Sequence, residues 1–132
     1  MITVYDEIKR RFPELDNEIT RENRDLPYVQ MAYVAEWLQA MPREAITASV
    51  VERLRSFRAW CEEQPRTQSA EDDIYTIFII GFWEPMFASD STRFLIPQLM
   101  SREEVTAAGD YLKSWVGPEN YQLALDEYDR TV

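Results

Sequence analysis

From Ile74 to Trp83 the chain is apolar at almost every position: Ile74, Tyr75, Ile77, Phe78, Ile79, Ile80, Phe82 and Trp83, with Pro85 interrupting soon afterwards. A helix that is apolar on nearly every side has no face to offer water, so the stretch predicts a buried central helix at about 70–84. Ser69, with Asp72 three residues on, reads as its cap. Glu71, Asp72 and Asp73 then place negative charge where a helix N-terminus favours it.

The flanking segments show the 3.6-residue period of helices that cover such a core. Val4, Tyr5, Ile8 and Phe12 predict a short helix over 3–11, capped by Thr3 with Asp6 at its third position. Residues 14–23 predict a polar, exposed helix anchored by Leu15 and Ile19, with a break at Asn23–Pro27. Residues 28–41 are apolar except for Gln30, Glu36 and Gln39, which predicts burial on more than one side. Over 43–62, Ile46, Val50, Leu54, Phe57 and Cys61 make a clean apolar face with Val51 beside it. After a short apolar piece around Phe94–Met100, Ser101 and Glu104 form a capping box for a helix facing inward through Val105, Ala108, Leu112 and Trp115. Gly117 and Pro118 stop it, and Tyr121, Ala124, Leu125 and Tyr128 predict a last helix. The expected fold is all-α: one domain over 1–132, a bundle of six to eight helices stacked as helical hairpins around the central one. Only three glycines in 132 residues argue against the many tight turns of an all-β chain.

Composition removes more chemistry than it adds. With no histidine there is no Ser-His-Asp or Cys-His nucleophile system and no histidine-metal site, and one cysteine makes neither a disulfide nor a thiolate zinc site. The glycines are too scattered for a phosphate-cradling loop. We expect no catalytic residue, metal or cofactor, although carboxylate-only catalysis remains open through Glu62-Glu63, Glu71–Asp73 or Glu103-Glu104. The apolar start expected of a signal peptide is absent, and the longest apolar run is about half of the ~20 residues a membrane span needs, so a cytoplasmic protein is expected.

The net charge of −10 is unevenly spread, since residues 67–90 hold five acids and no base. Such a field repels nucleic acid and anionic membrane and steers basic partners inward. Arg53, Arg55 and Arg58 sit among acids on one helix, which favours local ion pairs over phosphate binding. Cys61 continues the apolar face after Phe57 and is expected to be a buried thiol. Among the aromatics, Trp37 and Trp115 fit core faces. Trp60, Trp83 and Tyr75 are the candidates for exposed contacts, and with Glu71, Asp72, Asp73 and Glu84 they form the expected partner-binding set.

Phe12-Pro-Glu-Leu15 after a short helix, then a charged segment and Leu26-Pro27 opening an apolar helix with Met31, Ala35 and Trp37, resembles a group of small acidic helical bacterial proteins. Some of that group are immunity proteins of polymorphic toxin systems. The resemblance implies a helical fold and inhibition of a cognate toxin by direct binding, with no catalytic residues to carry over. The functional expectation is thus an acidic, non-catalytic binding protein that occludes a basic toxin domain. Its alternatives are a helical scaffold or adaptor that is acidic only for solubility, and a carboxylate-dependent magnesium nucleotide hydrolase.

Overall fold

Thr3 opens the first helix through a complete capping box, its hydroxyl accepting from the Asp6 N–H while the Asp6 carboxylate accepts from the Thr3 backbone. The computed structural model describes residues 3–69 and 73–130, and every regular element among them is helical. The longer helices are α1 (Val4–Arg11), α2 (Pro27–Ala40), α3 (Ala48–Glu63), α8 (Gly109–Val116) and α9 (Pro118–Arg130). Shorter ones are α4 (Ile74–Phe78), α5 (Glu84–Ala88), α6 (Ile96–Leu99) and α7 (Arg102–Ala107). A π-helical turn over Ile79–Trp83 joins α4 to α5, so that 74–88 forms one continuous rod. With the rod counted once, the described residues hold eight α-helices, an all-α bundle. No helix among them is long and apolar enough to cross a membrane.

The rod is the axis of the packing. Its first half and the π-turn lie against α2, with α3 also on α4, and its second half lies against α8 and α9. Phe57, Phe78, Phe82 and Phe87 are fully buried, each such side chain contributing about 1.5–3 kcal/mol through burial. Edge-on ring contacts run from Phe12 to Phe57 at 5.6 Å, from Phe57 to Phe78 at 5.8 Å and from Phe78 to Trp83 at 5.6 Å, linking α1 to the rod through the core.

The π-turn has a local cause. Pro85 has no N–H for the carbonyl four residues back, and its ring would collide with that carbonyl in a regular α-helix. Glu84 instead donates to the Ile79 carbonyl, five residues back, and the widened turn carries the helix through Pro85 to Ala88. The expected stop at Glu84-Pro85 is therefore corrected.

One other expectation changes, and one lies outside the described residues. Asp73 caps α4, its carboxylate accepting from the Thr76 N–H, and its own N–H donates to the Ser69 carbonyl; the expected cap of Ser69 with Asp72 involves a residue outside the described ones. Residues 14–23 are not a helix but two single 3-10 turns, Pro13–Leu15 and Arg21–Asn23. There the side chains satisfy the backbone: Asn23 donates to the Glu18 carbonyl at 2.7 Å, and Gln30 donates to the carbonyls of Asn23 and Arg24. Ile19 is fully buried beneath them.

At the far end of the rod, Arg93 is only 6% exposed. It donates to the carbonyls of Phe87 (2.8 Å) and Ala88 (3.3 Å) and to the side chains of Asp90 and Asn120. One guanidinium thus closes the C-terminus of α5 and ties it to α9.

Candidate functional site

Tyr75, Ile79, Trp83 and Phe87 recur at four-residue steps along the rod. In a regular α-helix each such step drifts by about 40° around the axis. A turn closed five residues back rotates less per residue, which lessens the drift and keeps these side chains on one side. With Phe78, they form one wall of a cleft of about 350 Å³. The opposite wall is Met100 together with Ala107, Ala108, Tyr111 and Leu112 from α7 and α8. The cleft exists because the wall facing the aromatic rings is built of alanines where the chain breaks between α7 and α8, Ala108 having φ −92° and ψ 12°.

Charge lies at the cleft's end. Arg58, 16% exposed, pairs with Glu62 at 2.9 Å and with Glu104, and also donates to the Leu99 carbonyl. Its guanidinium stands 5.8 Å from the Trp83 ring. Burial raises the Glu104 carboxyl, but the Arg58 hydrogen bond and the cap contacts from Ser101 outweigh that and hold it below its ordinary value. At Glu84, burial prevails and pushes the carboxyl upward, against a hydrogen bond from the Tyr111 hydroxyl at 3.1 Å. Burial, and then the Glu84 charge, push the Tyr111 phenol up to about 12, with Tyr28 and Tyr75 near enough to add to the shift.

The expected site residues divide three ways. Tyr75 and Trp83 meet on the cleft wall, and Glu84 joins them through Tyr111. Trp83 is 5% exposed, however, so its expected role as an exposed contact is corrected: as the helix continues past it, it packs between Phe78, Phe82 and Phe87. Trp60 is half-buried, stacked on Phe57 at 6.3 Å, and is not part of the cleft.

Asp73 is 2% exposed and engaged within the fold, accepting from Arg66, from the Thr67 N–H and from the Thr76 N–H and hydroxyl. The Arg66 contact is the largest influence holding its carboxyl far below the usual range. Its expected place on a binding surface is corrected on that ground. Glu71 and Asp72 lie outside the described residues.

Trp115, expected in the core, is 57% exposed. The buried face runs through Val105, Gly109, Leu112 and Val116, because α8 and α9 meet at Gly109, where a Cβ would stand 2.8 Å from the Tyr121 hydroxyl. Trp37 is half-buried against Phe12, closer to expectation.

The arginines of α3 are fasteners. Arg53 binds Glu14 through two bonds of 2.7 and 2.8 Å and also reaches the Arg11 carbonyl, while Arg55 donates to the Gln98 carbonyl. Cys61 is fully buried, and burial raises its thiol well above the ordinary value. No three His, Cys, Asp or Glu side chains among the described residues converge as metal ligands.

Tyr111, Ile79 and Phe87 belong to the site but not to the expected set; the four-residue spacing of the rod was the available signal for two of them. The arrangement offers aromatic area in a concavity with a carboxylate-rich end. Comparison with protein families, curated proteins and solved structures finds no match for the chain.

Proposed function

We propose that the protein is a non-catalytic binding protein that occludes a basic protein partner, in the manner of an immunity protein covering its toxin. One observation carries this reading: an aromatic cleft with three carboxylates about it, Glu62 and Glu104 in its lining and Glu84 adjoining through Tyr111, while Arg58 is held between two of them and Arg66, over the Tyr75 ring, is paired to Asp73. Apolar concavities with a few placed polar groups are the usual form of a binding site. An excess of acid around one speeds encounter with a basic surface and selects against acidic ones. The chain's net charge of −10 acts in the same direction.

The test is affinity capture from the native host by the tagged protein and by Ala107→Trp. Ala107 is an exposed position on the cleft wall, so the larger ring fills the cleft without entering the core. A basic protein retained by the native form, released by salt and absent from the plugged variant is the expected result. Identical captured sets from a correctly folded Ala107→Trp protein would overturn the proposal.

A further inference from the structure

The cleft's chemistry narrows what enters it. Its volume of about 350 Å³ exceeds that of one small side chain and lies at the lower end of drug-sized ligand sites. Five of its lining side chains are aromatic: Tyr75, Phe78, Trp83, Phe87 and Tyr111. Aromatic faces attract cations as well as hydrocarbon, and two of these rings already do so within the chain. Arg66 stands 4.5 Å from the Tyr75 ring centre and Arg58 5.8 Å from that of Trp83.

The polar groups point to the same sign of charge. Arg58 is committed to Glu62, Glu104 and the Leu99 carbonyl, so an incoming anion would meet two carboxylates and no free guanidinium. Glu84 is half-buried, and among the described residues its hydrogen-bond donor is the Tyr111 hydroxyl, a neutral group. A carboxylate so placed gains from a cation.

We infer that the partner anchors in this cleft through an aromatic or long aliphatic side chain next to a lysine or arginine, the hydrocarbon packing between Trp83 and Ala108 and the cation settling beside Glu84. This rests on the reading of the protein as the binder of a basic protein. Anchors of this kind, apolar bodies with a charge beside them, carry most of the affinity in many interfaces.

Three probes of similar shape test the charge preference directly: phenethylammonium, 2-phenylethanol and 3-phenylpropanoate, titrated while the amide resonances of Ala107, Ala108 and Gly109 are followed. The cation should move those resonances and bind about tenfold tighter than the alcohol, with the anion weakest. Glu84→Gln should bring the cation to within about threefold of the alcohol and leave the alcohol unchanged. Equal binding of the three probes, preference for the anion, or shifts confined to other parts of the chain would overturn the inference.

A displacement arm separates it from the broader reading. Phenethylammonium should elute the captured partner. If it binds in the cleft but elutes nothing, the cleft serves a free amine and the anchor proposal fails. If it does not bind while Ala107→Trp still abolishes capture, the binding-protein reading stands and the cationic anchor falls.

Discussion

Gly81, inside the π-turn, lies directly against α2. A Cβ there would lie 2.6 Å from the Met31 Cβ, 3.2 Å from its Cγ and 3.8 Å from the Tyr28 carbonyl. The first contact decides the outcome. Met31 is fully buried, and its Cβ is fixed to the backbone, so Gly81→Ala can be relieved only by moving α2 away from the rod. Overpacking of this kind costs about 1–3 kcal/mol. Alanine gains up to about 1 kcal/mol over glycine in a helix, so the propensity term opposes the steric one without cancelling it.

A contact at 2.6 Å with a backbone-fixed atom belongs in the upper part of that range, about 2–3 kcal/mol, so the expected net loss is about 1–2 kcal/mol. In urea that lowers the midpoint by roughly 0.5–1 M with an unchanged slope. Gly109→Ala is the internal comparison. Its Cβ would meet the Tyr121 hydroxyl at 2.8 Å, the far end of a side chain rather than a backbone-fixed atom, and its loss should be smaller. A Gly81→Ala midpoint at or above the native value, or a smaller fall than that of Gly109→Ala, would refute the steric argument.

Two further perturbations address charges inside the fold. Asp73→Asn keeps the shape of the cap but removes the charge that Arg66, Thr67 and Thr76 serve, and should cost about 1–3 kcal/mol at neutral pH. The Asp73 carboxyl titrates far below its ordinary 3.8 in the folded chain; its contribution is therefore complete above that value and drains as pH falls through the folded one. Urea titrations should show the gap between native protein and Asp73→Asn narrowing steadily as the pH falls below about 4; a gap that ignores pH would show that the charge is not what matters. Arg93→Met leaves the Phe87 and Ala88 carbonyls and the Asn120 side chain without their donor, an expected loss of about 2–4 kcal/mol by thermal or urea unfolding. Arg93→Lys should recover little, because a single ammonium cannot span acceptors arranged for a planar fork; full recovery would show that charge alone suffices.

Local patterns were legible wherever one helix face decides burial. Ile46, Val50, Leu54, Phe57 and Cys61 are all buried as their spacing predicts, and both the Thr3–Asp6 and Ser101–Glu104 boxes form. What the sequence hides is what stands opposite. Trp83 and Trp115 carry equally apolar rings, yet the first is enclosed by three phenylalanines while the second faces away from the Gly109–Tyr121 contact. The cleft is non-local in the same way. Ile79 and Phe87 read as core, and Tyr75 and Trp83 as separate contact candidates, until the alanines at the break between α7 and α8, twenty or more residues on, leave space beside all four. Asp73 caps α4 with help that no local pattern announces, since Arg66 and Thr67, on the preceding loop, add their own donors to its carboxylate.

The π-turn also bears on how this chain tolerates changes of length. A turn closed five residues back holds about one residue more than an α-turn, so Ile79–Trp83 acts as an insertion already absorbed within the helix. Removing one residue there would restore an ordinary ladder while leaving Met86 and Phe87 directed into the core, provided Pro85 were also replaced by a residue with an N–H. The same deletion elsewhere in the rod would turn every later side chain by about 100° and bring the wrong faces inward. Within the rod, deletion of a single residue is therefore compatible with the fold at one place, and that place adjoins the cleft.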